Sequence, residues 1–182
     1  GISDGYRGAK ADLADGGHRI PCIVTWPAGV EPHKVEQTIC LTDFMATFVN
    51  IAGGHIADNE AEDSYDILPL LISGDNGTVI REATVHHSIN GSFTIRRDNW
   101  KLLLAPGSGG WSYPRPGRDS DDGLPPVQLY DMEADPSEAR NLYLEHPKLV
   151  AELTALPPQS APDGRHTPGL PQHTAATTTW TE

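Results

Sequence analysis

The chain has 182 residues, of which 37% are hydrophobic, and its 13 basic and 25 acidic residues give a formal net charge of −12 at pH 7. This length suits one domain of ordinary size or the end of a larger one, with a modest packed core. The acidic balance argues against nucleic acid or an anionic membrane as a partner, because basic patches chiefly hold both. No apolar run approaches the roughly 20 residues of a membrane helix, and no signal peptide opens the chain.

Residues 6–21 combine one lysine, a Gly-Gly pair and a His-Arg pair ahead of an apolar run. Glycines let a backbone adopt positive φ and pass close to a ligand, so cationic side chains beside such a loop suit the binding of an oxyanion. Lys10 is the candidate cation, with His18 and Arg19 nearby. The alternative interpretation is a solvated loop lysine, with His18 and Arg19 capping a strand.

The next residues predict α/β structure. Residues 20–26 form a short apolar run, which is typical of a strand buried on both faces of a sheet, and residues 37–41 predict a second strand. Thr42 and Asp43 are N-cap residue types, and Gly53-Gly54 ends the helix that follows. We predict that the apolar residues of this helix belong to the core: Phe44, Met45, Phe48, Val49 and Ile51.

The two cysteines lie on the two strand-like stretches. The spacing of Cys22 and Cys40 fits neither a metal-binding knuckle nor a redox motif. Pairing stays open, and two buried free thiols are the favoured interpretation.

Beyond Arg81 the pattern changes to short strands separated by turns. Residues 83–88, 92–96, 100–105 and 127–130 predict a small antiparallel sheet. A loop fills residues 104–126, and a loop of this length is either functional or disordered. Its Trp111 and Tyr113 either stack on a sugar face or pin the loop to the sheet. A helix is predicted from Pro147 to Leu156, ended by Pro157-Pro158, with a disordered tail over 157–182.

Several motifs resemble the type I sulfatases, the arylsulfatase family with an alkaline-phosphatase-like fold. Residues 10–21 are similar to the family stretch G-K-x-x-x-x-E-G-G-x-R-x-P, with Asp15 in place of Glu. The segments T-D-F-x-x-T at 42–47, H-H-S-x-x-G-x-F-x-I-R at 86–96 and W-K-L at 100–102 also resemble family phrases. So do L-Y-D-x-x-x-D-P-x-E-x-x-N-L at 129–142 and D-G-R-x-T-P-G at 163–169.

The resemblance implies the C-terminal portion of such an enzyme, in the α/β class. Residues 1–82 would form the edge of the alkaline-phosphatase-like α/β/α domain, and residues 83–156 an antiparallel four-stranded subdomain packed by a C-terminal helix. In the family, the residue that matches Lys10 contacts the sulfate, and the one that matches His18 lies near the same pocket. On a strand, His86 and His87 point to opposite faces, so they cannot both bind one metal, and one of them could reach the substrate. Trp111 is a further substrate-binding candidate.

The resemblance also implies a reaction and its cofactors. Type I sulfatases hydrolyse sulfate esters with a formylglycine, made from Cys or Ser in the motif (C/S)-x-(P/A)-x-R, and with a calcium ion held by Asp and Asn. Neither Cys22 nor Cys40 starts that motif, and the paired aspartates of the metal site are missing. We therefore expect a fragment of a sulfatase, inactive alone, from a periplasmic or extracellular enzyme acting on a sulfated small molecule or carbohydrate.

The sequence leaves two other functions open. One is a non-catalytic or relic module that binds sulfated or neutral glycans, which would show measurable glycan affinity. The other is a phosphatase or phosphodiesterase of the same superfold, which its metal ligands would distinguish.

Overall fold

The structure, a computed structural model, describes residues 5–74, 77–160 and 167. Within them the chain packs as two compact units. The first contains residues 5–21 and 85–157, and the second contains residues 22–74, 77–84, 158–160 and 167. The Lys10 segment therefore packs with the residues of the predicted sheet. The domain limits 1–82 and 83–156 stay a prediction, because packing units in one chain do not define the domains of a whole enzyme.

The second unit contains helices α1 (Asp43–Ile51) and α2 (Leu68–Ser73). The predicted helix at α1 is confirmed, but its predicted core is wrong. Met45 and Phe48 are 54% and 59% exposed, and the buried side of α1 contains Asp43, Ala46 and Thr47 instead. The Asp43 carboxylate forms an ion pair with Arg81 and accepts a hydrogen bond from the Cys40 amide at 2.7 Å. These polar contacts anchor the helix through the face opposite to the apolar one.

Two smaller expectations for this region, the strands and the buried Cys22, are wrong, and the N-cap expectation is confirmed in position only. Residues 20–26 and 37–41 are not strands, and Ile23 is 90% exposed. Thr42 occupies the N-cap position of α1, but its side chain makes no capping hydrogen bond. Cys22 is exposed rather than buried, whereas Cys40 is half-buried, and both thiols are free. An apolar run alone does not distinguish a strand from an extended segment, because pairing depends on a neighbour that the run does not encode.

The predicted antiparallel sheet is confirmed. Its four strands lie in chain order and are β1 (Thr84–His87), β2 (Phe93–Arg97), β3 (Trp100–Leu103) and β4 (Gln128–Asp131). In the register, Lys101 lies opposite both Arg96 and Tyr130. Because side chains alternate along a strand, these three residues share one face of the sheet.

The two faces of the sheet differ in chemistry. On one face, Leu13 packs into a cluster with Leu103, Ala105, Tyr130 and Met132, so the Lys10 segment covers it. On the other, Arg97 of β2 forms an ion pair with Glu152 at 3.3 Å. Glu152 belongs to α3 (Pro147–Ser160), whose Leu153 is fully buried.

Helix α3 extends past its predicted end. Pro157 and Pro158 lie within the helix, so the expectation that they terminate it is wrong. The closing motif at 163–169, apart from Thr167, and the tail after it lie outside the described residues. Among the residues that the structure describes, no helix is long and apolar enough to cross a membrane.

Candidate functional site

The Lys10 turn is held by its own backbone. Asp12 donates its amide to the Ala9 carbonyl at 3.0 Å, and Gly16 donates to the Arg7 carbonyl at 2.8 Å. Lys10 itself is exposed, and within the described part of the chain its ammonium makes no hydrogen bond or ion pair. Ala11, the next residue, has a φ of 85°, a left-handed conformation that side chains other than glycine rarely adopt. The turn therefore presents, among the residues that the structure describes, an unpaired positive charge on a hydrogen-bonded backbone.

The Gly16-Gly17 pair serves this turn in a way that the sequence did not predict. A Cβ atom at Gly16 would lie 2.6 Å from the Arg7 and Gly8 carbonyl oxygens, and one at Gly17 would lie 2.4 Å from the Asp12 carbonyl oxygen. Neither glycine has a positive φ. The pair is thus required for close packing of the segment on itself, rather than for conformational freedom beside a ligand.

The segment that carries the turn also contributes to a buried charge cluster through Asp15. Lys101 of β3 is 1% exposed, and its Nζ atom lies 2.6 Å from Asp15 Oδ1 and 2.9 Å from Glu138 Oε1. Glu138 also accepts the Asp15 backbone amide through Oε2 at 2.8 Å. Asp15 opens the short 3-10 helix Asp15–Gly17. Two carboxylates therefore neutralise one buried ammonium and tie the Lys10 segment to the sheet.

The cluster fixes the ionisation of Asp15. Burial by itself would raise the pKa of this carboxyl, but the hydrogen bond from His18 and the charge of Lys101 outweigh it. The pKa of Asp15 consequently lies well below its ordinary value, and the side chain is an anion at neutral pH.

His18 and His86 meet at the edge of this cluster. Their ring centroids are 3.8 Å apart, and His18 Nε2 lies 3.5 Å from Asp15 Oδ1 and 3.4 Å from Lys101 Nζ. Burial, followed by the charges of His18 and Lys101, lowers the pKa of His86 to about 2, so its ring is neutral. Within the described residues, His18 Nδ1 and His86 Nε2 are buried without a hydrogen-bond partner. Both ring nitrogens are therefore unsatisfied polar atoms at the edge of the charge cluster.

His87 and Trp111 lie apart from the histidine pair. The His87 ring contacts Phe93 with centroids 6.1 Å apart, and its Nδ1 lies 2.9 Å from the Ser88 carbonyl oxygen. Trp111 is 59% exposed, and its backbone amide donates to Asp12 Oδ1 at 2.7 Å. Lys10 and His18 therefore lie on one segment, and His86 contacts His18 at the charge cluster that supports this segment. His87 lies outside the cluster.

Sequence reasoning missed Asp12, Lys101 and Glu138. Asp12 accepts amides from both sides of the site: Ala9 at 2.7 Å to Oδ2, and Trp111 at 2.7 Å and Ser112 at 3.0 Å to Oδ1. The signal for Lys101 was its position between Trp100 and Leu102 on a predicted strand, where a lysine is unusual if both faces are covered. No comparable signal marked Asp12.

No metal site emerges from this arrangement. Among residues 5–74, 77–160 and 167, no group of three or more His, Cys, Asp or Glu side chains could hold a metal ion. The donor set around Lys101 consists of two histidines and two carboxylates already paired with this lysine, and it does not fit a calcium ion, which takes six to eight oxygen ligands.

The fold and these motifs define a sulfatase-type chain. No family model matches the sequence. N-acetylgalactosamine-6-O-sulfatase of Bacteroides thetaiotaomicron is 34% identical over 154 residues, which cover 83% of this chain and 29% of that protein. Arylsulfatase K of Gallus gallus is 25% identical over 154 residues, covering 79% of this chain and 26% of that protein.

Solved structures agree with these relatives. A structure from work on the metabolism of multiple glycosaminoglycans by Bacteroides thetaiotaomicron has a TM-score of 0.71 and 31% identity, covering 85% of this chain and 32% of that one. The structure of Ps i-CgsB in complex with k-i-k-neocarrahexaose shares the fold, with a TM-score of 0.65 at 20% identity. The chain is therefore a sulfatase homologue over most of its length, which agrees with the C-terminal portion that its motifs indicate. It spans less than a third of the two curated relatives described.

Proposed function

We propose that the protein carrying this chain is a sulfatase that hydrolyses a sulfate ester of a carbohydrate, with Lys10 at the sulfate group. The observation that carries this proposal is Lys10, exposed and unpaired among the described residues, on a turn that the Asp12 carboxylate holds and that Asp15 ties to the sheet. The sulfatase relatives, one of them named for N-acetylgalactosamine 6-O-sulfate, support both the reaction and the substrate class.

Hydrolysis of a sulfate ester breaks a sulfur–oxygen bond, consumes water and releases an alcohol and sulfate. Negative charge builds on the leaving oxygen, and a fixed ammonium nearby stabilises it without reorganising. Lys10 is suited to this role because hydrogen bonds hold its turn and because its ammonium pairs with no other described residue. His18 lies on the same segment, and with His86 it would offer ring nitrogens to the sugar, while Trp111 would stack on it.

The residues of this chain supply only part of such a site. Formylglycine and calcium are the cofactors that the sulfatase resemblance implies, and the residues near Lys10 do not fit the metal, so no step is assigned through either group here. Export to the periplasm or the cell exterior is part of the same proposal.

The test is Lys10→Ala in the protein that carries this chain, assayed on N-acetylgalactosamine 6-sulfate. We expect kcat to fall roughly 100- to 1000-fold, as on loss of one preorganised oxyanion contact. The matched control is Lys148→Ala, which removes an exposed lysine at the start of α3 and should leave kcat unchanged. Near-normal hydrolysis by the Lys10→Ala protein, with its circular dichroism unchanged, would contradict the placement of Lys10 at the sulfate group.

A non-catalytic glycan-binding module is the second candidate, favoured by the exposed Trp111 ring. The same assay separates the two functions. A binding module gives no hydrolysis that depends on Lys10.

A further inference from the structure

The hairpin turn after β1 and the 104–126 loop line an open cavity of about 210 Å³. One wall is the turn itself, and the other is formed by residues that follow β3 together with the long loop. The lining includes Asn90, Ser92, Leu104, Ala105, Pro116 and Asp121. None of these residues belongs to the Lys10 cluster described above.

The lining has the composition of a sugar site. Leu104, Ala105 and Pro116 offer apolar surface to the C–H face of a ring, and Asn90, Ser92 and Asp121 offer groups for hydroxyls. Asn90 Oδ1 is already occupied by the Ser92 amide at 3.1 Å and by the Ser88 hydroxyl, which leaves the Asn90 Nδ2 group to donate to a ligand. Asp121 is the charged residue of the lining, and its carboxylate repels sulfate.

Both walls are attached to the residue that follows Lys10. Ile89, beside Asn90, donates its amide to the Ala11 carbonyl at 3.1 Å. On the loop side, a Cβ atom at Gly110 would lie 2.4 Å from the same carbonyl oxygen, so only glycine allows this approach. The cavity and the Lys10 turn therefore share one piece of backbone.

We propose that this cavity is a subsite for an uncharged sugar ring, linked to the sulfated sugar whose ester Lys10 contacts. The position of the subsite beside a sulfated sugar rests on the proposed function. Its preference for an uncharged ring rests on the residues that line the cavity. Asp121 and the Asn90 amide bind hydroxyls of that ring, and the carboxylate excludes a second sulfate. The subsite would make the protein favour a glycan with an unsulfated neighbour.

The test follows amide NMR signals of the full chain during titration with N-acetylgalactosamine and with its 6-sulfate. We expect the neutral sugar to shift the Gly107 and Gly109 signals, at the cavity wall, at lower concentration than the sulfated sugar. Asp121→Lys should weaken the neutral sugar roughly tenfold, because a hydrogen bond to a charged acceptor is lost, and should reverse the preference. Asp121→Asn keeps the shape of the side chain and should abolish the discrimination against the sulfated sugar.

Asp122→Lys is the matched control, since it makes the same charge change one residue away and does not touch the cavity. Equal losses in Asp121→Lys and Asp122→Lys would overturn the subsite, as would a wild-type chain that binds neither sugar at these signals or prefers the sulfated one. This result is independent of the Lys10 assay. Hydrolysis that depends on Lys10, without neutral-sugar binding, removes only the subsite. Neutral-sugar binding without such hydrolysis removes the sulfatase proposal together with the link to a sulfated sugar, and leaves the preference for an uncharged ring.

Discussion

Lys10 and Lys101 show how differently one residue type is used in this chain. Lys10 is exposed and unpaired among the described residues, so its charge is available to a ligand. Lys101 is fully buried between Asp15 and Glu138 and is available to none. The first should matter for turnover with little effect on stability, and the second should matter for stability.

At the residue scale we therefore predict that Lys101→Met destabilises the chain by about 3–5 kcal/mol, the usual cost of removing one partner from a buried ion pair. Methionine keeps much of the volume, so the loss arises from two carboxylates left without a counter-charge. Urea denaturation followed by circular dichroism measures the change in the free energy of unfolding.

Lys148→Met is the control for this substitution, because it removes an exposed lysine and should stay within about 0.5 kcal/mol of the wild-type value. A loss of stability below about 1 kcal/mol for Lys101→Met, relative to Lys148→Met, would contradict this prediction. It would mean that Asp15 and Glu138 do not depend on Lys101 as their counter-charge.

At the scale of elements, Asp12 joins the Lys10 turn to the 104–126 loop. One carboxylate oxygen accepts the Ala9 amide, and the other accepts the Trp111 and Ser112 amides. Burial by itself would raise the pKa of Asp12, but the hydrogen bonds from Ser112, Ala9 and Trp111 lower it below its ordinary value. Neither the turn nor the loop has the backbone hydrogen bonds of a helix or strand. The Asp12 side chain instead supplies hydrogen bonds that join the two.

We predict that Asp12→Asn loosens the loop, because an amide side chain has one acceptor oxygen where the carboxylate has two. The cost should be about 1–3 kcal/mol, concentrated in local opening. Trypsin cleavage after Arg118 should accelerate roughly tenfold, since the opened loop becomes a substrate. Asp122→Asn, on the exposed part of the same loop, should leave the cleavage rate unchanged, and an equal acceleration there would exclude a specific role for Asp12.

The elements also show what sequence can and cannot predict. The four strands were predictable because short alternating runs between tight turns carry their own register. The buried side of α1 was not, because Asp43 is anchored by Arg81, 38 residues away, and periodicity assigns an aspartate to solvent. The Asp15–Lys101 contact spans 86 residues for the same reason. The motif predicts Lys10 and His18 as site residues, whereas the residues that contact their segment required the fold.

At the scale of the whole molecule, the charge cluster predicts loss of stability in mild acid. His86 has a pKa of about 2 in the folded chain against 6.5 ordinarily, so only the unfolded chain takes up this proton between those values. Protonation then favours unfolding as pH falls below 6.5. Asp15 acts at lower pH: its depressed pKa contributes stability that is present above its ordinary value of 3.8 and is lost as pH falls further.

We expect the free energy of unfolding to fall by up to about 1.4 kcal/mol between pH 7.5 and 5.5 through His86 alone. His86→Gln should remove this part of the slope, and His87→Gln, its exposed neighbour on the opposite face, should not. Urea denaturation at the two pH values provides the measurement. Identical slopes in the wild-type and His86→Gln chains would contradict a neutral, buried His86.

The attachment of the long loop has a consequence for how substrate choice can be altered. Gln128 donates to the Ala105 and Gly107 carbonyls at 2.9 Å, and Asp12 holds the Trp111 and Ser112 amides. Residues 105–112 are therefore held in place, and the Ser108 amide extends this attachment to the Pro114 carbonyl at 2.9 Å. A laboratory graft that exchanges residues 115–126 between homologues should transfer the proposed sugar preference and keep these hydrogen bonds, whereas a graft that starts at residue 105 would detach the turn that carries Lys10.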